Sequence, residues 1–340
     1  MNYKKQLVAI KLLLNVLVFG SMIQTADAQQ VSPFQTGDYT AAFMNVRDMA
    51  KMQPGLDIIL YNYYAWTNSF ADRDGVKYDE ISLGTNTSIG IDINTFAIVP
   101  AFYWGSKFTL LGGATYEVGI VPNYYSANTN IVVNHEGLSQ SGKSNLSGFG
   151  DLFVQPLGLS WGWTHFDAML AYAFTAPTGR YEPDADDNIG MGFWANQFQG
   201  FGYWYPNESQ KSAFMLGLTY ELISKVKGEE LKPGNRFTLE YGFSQYLTDR
   251  LEVSVIGGNN WQVSDDTGDD VFWDPSYHDR KSTLGFGAAY WAVKNRLYVA
   301  GKYMFDYGAR QRFLTNGLML NVIFVTNALT GNNSKKTIKN

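Results

Sequence analysis

Three features of the sequence predict an all-β chain, a transmembrane antiparallel β-barrel of about twelve strands with a short N-terminal helical segment. First, stretches of 10 or more residues alternate apolar and small or polar side chains at period two, the period of a strand. Second, the connections between these stretches alternate between short turns and long polar loops, the plan of a barrel with its long loops at one membrane face. Third, no apolar run after residue 28 approaches the roughly 18 residues that a helical span needs.

The pattern is clearest in Ser147 to Tyr181. Leu152, Val154, Leu157 and Leu159 lead into Trp161-Gly162-Trp163-Thr164, and Phe166, Ala168, Leu170, Tyr172 and Phe174 follow at every second position. Pro177-Thr178-Gly179 then marks a turn. From the N-terminus, residues 1–28 read as a secretory signal peptide. Lys4, Lys5 and Lys11 supply positive charge, Leu12 to Phe19 is apolar apart from Asn15, and Ala26-Asp27-Ala28 fits small-x-small cleavage before Gln29. The rival reading is an N-terminal membrane anchor, for which the apolar run is short.

Residues 29–55 form an N-terminal segment that is not strand-like. Thr40 to Met52 carries good helix formers between Gly37-Asp38 and Pro54-Gly55, with Phe43, Val46, Ala50 and Met49 able to share a face. Two placements follow. The segment is a short helix at the periplasmic end of the barrel, or it is a plug that enters the lumen, with Phe43, Val46, Arg47 and Met49 making the contacts.

The barrel is expected over 56–326, with strands near 56–66, 88–103, 108–117, 149–160, 164–175, 190–205, 211–223, 235–247, 251–262, 281–291, 296–307 and 316–326. The short turns fall at 104–107, 161–164, 206–210, 248–250 and 292–295. The long loops fall at 67–87, 118–148, 176–189, 224–234, 263–280 and 308–315. An even strand number puts both chain ends on the periplasmic side, and the strand lengths match a tilted bilayer span. A soluble β-sandwich, the alternative, usually has shorter strands and no reason to collect its long loops at one end. Residues 327–340 form a polar C-terminal tail, a departure from barrels that end on an aromatic residue.

The faces are legible within single strands. In 211–223, Phe214, Leu216, Leu218, Tyr220 and Leu222 alternate with Ala213, Met215, Gly217, Thr219 and Glu221. The large apolar set suits lipid and the other set a wet interior. Trp104, Trp161, Trp163, Trp204 and Trp291 stand at or beside the short turns, and Trp66 and Trp261 near the opposite strand ends, as interfacial girdles require. The inward charges are then Arg236, Glu240, Glu252, Lys281, Arg296, Lys302 and Asp306. They line a water-filled path and set its selectivity, stiffen the wall through salt bridges, or both.

Other chemistries find little support. The chain has no cysteine and three histidines, His135, His165 and His278. No serine sits in a G-x-S-x-G turn, so no enzyme is expected, and no cofactor is implied. Asp184-Ala185-Asp186-Asp187-Asn188 opens like a calcium loop, but Ile189 and Ala195 stand where glycine and glutamate are required. No metal site is assigned. The whole chain has 26 basic and 31 acidic residues. Without the three lysines and Asp27 of the leader, 23 face 30, a net charge of −7 that argues against nucleic acid as a partner.

Gly148-Phe149-Gly150-Asp151, Pro156 and Ala176-Pro177-Thr178-Gly179-Arg180-Tyr181 resemble the family named after the MetA pathway of phenol degradation. Leu218-Thr219-Tyr220-Glu221, Pro233-Gly234, Glu240-Tyr241-Gly242 and Gly257-Gly258 before Trp261-Gln262 extend the resemblance over most of the mature chain. It implies residence in the outer membrane of a Gram-negative bacterium, after leader cleavage, among lipid and lipopolysaccharide. It also implies handling of aromatic and other hydrophobic solutes, with no catalytic residues to carry over. The expected function is a channel for passive uptake of small hydrophobic or aromatic solutes. The alternatives are a structural or adhesive barrel with a blocked lumen and a lipid-modifying barrel enzyme.

Overall fold

A computed structural model of the chain describes residues 37–82, 86–183, 185 and 187–326. The proposed leader 1–28 and the tail 327–340 lie outside the described residues. The chain forms β1 (Gly55–Ala71), β2 (Lys77–Tyr78), β3 (Glu80–Ser82), β4 (Thr87–Leu110), β5 (Ala114–Val121), β6 (Tyr124–His135), β7 (Leu138–Phe149) and β8 (Leu152–Gly162). It continues with β9 (Phe166–Ala176), β10 (Ala195–Trp204), β11 (Ser212–Ile223), β12 (Arg236–Tyr246), β13 (Leu251–Gln262), β14 (Arg280–Val293), β15 (Leu297–Arg310) and β16 (Arg312–Val325).

Strand β1 pairs with β16 along one edge and with β4 along the other, both antiparallel. This closes a ring of twelve: β1, β4, β5, then β8 through β16 in sequence order. Closure leaves no unpaired edge in the membrane, where an open edge would strand backbone donors and acceptors.

The faces obey the alternation. In β11, Ala213, Met215, Gly217, Thr219 and Glu221 are buried, while Phe214, Leu216, Leu218, Tyr220 and Leu222 are exposed. Leu170, Phe198, Phe286, Leu318 and Leu320 also point outward. Leaving such side chains in water forgoes roughly 2 kcal/mol each, so a continuous outward band of them identifies a lipid-facing wall. Trp204 stacks on Phe214, and Phe214 meets Phe243 at a tilt, near the short turns, as in an aromatic girdle.

Four local expectations are corrected. The expected turn at 104–107 is strand: β4 runs on to Leu110 and turns at Leu111-Gly112-Gly113, all three with positive φ. Its pairing with β5 slips between Gly105 and Thr109, so the wall absorbs an irregularity that reads as a turn in sequence. The expected loop 118–148 is largely a hairpin. β5 and β6 are successive along β4, and β8 and β7 pair beside them. The twelve-residue strands of this hairpin extend the wall beyond the barrel by on the order of 40 Å. The expected loop 308–315 is a tight reversal at Gln311, whose φ is +50°.

Residues 40–52, expected as a helix, form successive turns, with no helix among the described residues. Ala42 has a φ of +60°, a left-handed conformation that interrupts a right-handed helix. Only isolated turn bonds occur, such as Asp48 N to Asn45 O and Ala50 N to Arg47 O. Wall side chains take several of the other backbone groups, among them the carbonyls of Ala42, Phe43 and Met44 and the N–H groups of Lys51 and Met52.

Candidate functional site: the lumenal segment and its cavity

The inward faces of the strands carry buried polar groups, and residues 37–54 run among them. At the long-loop end, Glu221 Oε1 of β11 accepts from the N–H groups of Asp38 and Tyr39, both at 2.9 Å. Half-way along, Glu240 of β12 accepts from Ala42 N at 2.6 Å and from the Tyr39 hydroxyl. Lys302 of β15 donates to the carbonyls of Ala42, Phe43 and Met44 at 2.6–2.8 Å. At the short-turn end, Arg47 donates to Ser244 Oγ at 2.7 Å and to Glu252 Oε1 at 3.0 Å. It also donates to the carbonyls of Gln210 and Lys211. Lys51 N and Met52 N donate to Asp167 and Ser160. The segment thus descends the inside of the barrel before turning into β1.

Close approach is required for this. A Cβ on Gly258 would lie 2.7 Å from the Ala41 methyl, and one on Gly242 would lie 2.9 Å from Val46 Cγ2. Val46 is buried, Met49 joins the same apolar cluster, and Phe43 packs edge-on and tilted against Tyr63 and Tyr61.

The seven charges picked from sequence separate into three groups. Glu240, Glu252 and Lys302 meet the segment. Arg236, Lys281 and Asp306 lie within the wall near the long-loop end. Arg236 is held bidentately by Asp279 at 2.6 and 2.9 Å, with Asn260 and Arg312 in the same network. Lys281 pairs with Asp306 at 3.2 Å. Arg296 is the correction: it is exposed in the turn between β14 and β15, because β14 ends at Val293 and β15 begins only at Leu297.

Other residues come into play that the sequence reading did not single out. Glu221 stands in the inward column of β11, where alternation alone places it. Asp38, Gln197 and Gln199 come together only through tertiary contact. Asp38 Oδ2 accepts from Gln197 Nε2 at 2.7 Å and from the Thr175 hydroxyl. Gln197 Oε1 in turn accepts from Gln199 Nε2 at 2.8 Å. Burial raises the Asp38 carboxyl to about 6, with neighbouring Asp151 adding to the rise.

Between the segment and strands β1, β4, β5, β8 and β10 lies a cavity of about 160 Å³. Its apolar lining includes Phe43, Met44, Tyr61, Tyr103, Tyr125 and Phe153, and its polar lining is Asp38, Thr40, Asn123, Asp151, Gln197 and Gln199. Two buried acceptors, Gln199 Oε1 and Asn123 Oδ1, find no donor among the described residues.

The histidines sit apart from this cavity. His165 Nδ1 lies 2.9 Å from the Tyr205 carbonyl, His135 contacts Thr87, and His278 contacts Asp265. No group of three or more His, Asp or Glu arranged to hold a metal occurs among the described residues.

In structure, the chain is similar to the COG4313 outer membrane channel from Pseudomonas putida F1, at 15% identity and a TM-score of 0.62. That match covers 83% of this chain and 99% of that one. Weaker likenesses include the transport unit of the autotransporter AIDA-I from Escherichia coli, at 10% identity and a TM-score of 0.43, over 83% of this chain and 92% of that one. A Pseudomonas aeruginosa FadL homologue gives 10% identity and 0.38, over the same shares. No curated protein matches in sequence. The outer-membrane barrel fold is therefore shared at low identity. The family model described as "Putative MetA-pathway of phenol degradation" matches residues 79–322, well over half the sequence, and the chain belongs to that family.

Proposed function

We propose that the protein is an outer-membrane channel for passive uptake of small hydrophobic or aromatic solutes. The observation that carries this reading is the aromatic and methionine-lined cavity between the lumenal segment and the wall. A wall polar inside and apolar outside suits passage of solute through the interior rather than along the lipid. The channel named for the Pseudomonas putida neighbour and the phenol-degradation family description agree with this reading. Outer-membrane lipid and lipopolysaccharide are the surroundings it implies, and a cleaved leader the route of export.

In this reading residues 38–53 are the gate, and Glu240, Lys302 and Glu252 are its anchors. Passage is diffusion down a gradient. The test is single-channel conductance of the mature protein in a planar bilayer, with and without residues 38–53. Open steps in the intact protein support a continuous path, and steps only after deletion make the segment a closed gate. Silence from both, with a heat-modifiable folded barrel, rejects a water-filled channel.

One observation favours a second reading, a structural barrel with a blocked lumen. Phe193, Val226, Leu231 and Trp273 from three long loops pack with Ala195 and Ile223, the buried residues at the loop ends of β10 and β11. Conductance silence would select this alternative.

A further inference from the structure

We propose that a pocket on the lipid-facing side of the wall, just above the outer aromatic girdle, binds the phosphorylated sugar headgroup of lipopolysaccharide. The inference rests on placement in the outer membrane and not on passage of solute through the lumen.

The outward column of β4 changes character within a few residues. Trp104, Ile98 and Phe96 are exposed and apolar, whereas Asn94 and Asp92, next along the same column, are polar. Successive members of a column stand about 7 Å apart. The interfacial zone outside the hydrocarbon core is roughly 5–8 Å thick on each side, so Asn94 and Asp92 lie at headgroup depth. The registers carry this row sideways. Asp92 pairs with Asn130 of β6, and Asn130 with Lys143 of β7. In the other direction Asn94 pairs with Trp66 of β1. Residues paired across strands share a face, so the whole row points outward. It stands at the long-loop end of the barrel, where the surrounding leaflet of a Gram-negative outer membrane is lipopolysaccharide.

The wall parts at this height, and the parting makes a concavity. Pairing of β1 with β4 ends at Thr67 and Ile93, and pairing of β1 with β16 skips Asn68. The pocket there has a volume of about 380 Å³ and is lined by Trp66, Asn68, Asp92, Asn94, Asn130 and Lys143. Thr67 and Ile93, the last pair before the strands separate, complete it. That volume falls within the roughly 300–1,000 Å³ of small-molecule sites. Its chemistry selects a phosphorylated sugar. Trp66 supplies an aromatic surface, steadied by Tyr303, which stacks on it at 6.4 Å, and by Tyr64, which tilts against it at 5.9 Å. The Tyr64 hydroxyl donates to Asn94 Oδ1 at 3.1 Å, which leaves the Asn94 amide nitrogen as the end open to an occupant. Asn68, Asp92 and Lys143 are exposed, and their side chains make no hydrogen bond or ion pair among the described residues. Amides donate and accept, as sugar hydroxyls do, Asp92 accepts from hydroxyls, and Lys143 meets a phosphate. A hydrocarbon chain would leave the amides and both charges unmatched. A glycerophospholipid offers a phosphate but no ring to lie on Trp66.

The test is native mass spectrometry of the full mature protein in detergent, titrated with lipid A (the acylated phosphosugar anchor of lipopolysaccharide), dephosphorylated lipid A and phosphatidylglycerol. Lipid A is expected to bind at least about tenfold more tightly than phosphatidylglycerol, with the dephosphorylated form between them. Lys143→Gln is expected to weaken lipid A about fivefold and leave the dephosphorylated form unchanged. Trp66→Leu keeps an apolar side chain and is expected to weaken both forms about fivefold. Phosphatidylglycerol binding as tightly as lipid A would overturn the proposal. So would an unaltered lipid A affinity in Lys143→Gln, or in Trp66→Leu that keeps heat-modifiable migration. If Trp66→Leu loses that migration, Lys143→Gln decides, because its side chain stands on the hairpin outside the hydrocarbon core and does not support the barrel.

Discussion

At the scale of single residues, Lys302 has the clearest consequence. Its ammonium satisfies three backbone carbonyls of the segment at once. Lys302→Met keeps the stem and removes every donor. It should weaken docking of the segment by about 2–4 kcal/mol, since it leaves buried carbonyls and the Glu240 charge less well paired. Hydrogen exchange over residues 38–46 should accelerate while heat-modifiable migration of the barrel persists. Unchanged exchange would show that the segment is held elsewhere. Arg296→Ala is the matched control. That residue stands in an exposed turn away from the segment, and its replacement should leave exchange over residues 38–46 as in the native protein. The contrast explains what sequence could say of these charges. Alternation placed Glu240, Glu252 and Lys302 on the inward column, but a column extrapolated back beyond the first residue of β15 carried Arg296 with it. No sequence period reports which inward charge meets a distant segment.

At the scale of elements, the lumenal segment is the unit that moves or stays. Gly258 and Gly242 give it room, so Gly258→Val should force it from the wall. The expected result is larger or more frequent conductance steps than in the native protein, and identical traces would refute the tight fit. The segment also has a pH dependence with a definite sign. Burial raises Asp38 to about 6 and raises Asp48 as well. A carboxyl whose pKa rises on docking binds its proton more tightly when docked. Docking is therefore most favourable at acid pH and weakens as pH climbs from about 4 through 6, by at most about 3 kcal/mol for Asp38. The groups around Asp38 are Asp151, Glu221 and Tyr125, with Arg236 beside neighbouring Gly37. Proteolysis of the segment should be faster at pH 7.5 than at 4.5, and Asp38→Asn should flatten that difference. The helix expected over 40–52 failed for a reason that belongs to this scale. Its residues are sound helix formers, but Lys302, Ser160 and Asp167 capture backbone groups that helical bonds would use.

At the scale of the whole molecule, the lipid-facing band and the polar interior must fail differently. Leu216→Arg places a charge on the outward face of β11 and should cost about 2–4 kcal/mol near the bilayer midplane. Refolding into lipid vesicles with a denaturant titration would measure it, and a cost near zero would show that Leu216 does not meet lipid. Strand periodicity, the inward and outward columns, the count of twelve wall strands and the aromatic girdles are all legible in the order of residues. Each of these is a local consequence of chain geometry meeting two solvents, so each is written every second residue. The tertiary structure alone decided the path of residues 37–54, the length of β4 with its extended hairpin, and the amide relay from Asp38 to Gln199. These join groups as far as 276 positions apart, as between Asn45 and Asn321. They arise from ring closure, which brings the inward faces of all the wall strands around one lumen. Closure is a global property, and no window of sequence short enough to show a period contains it.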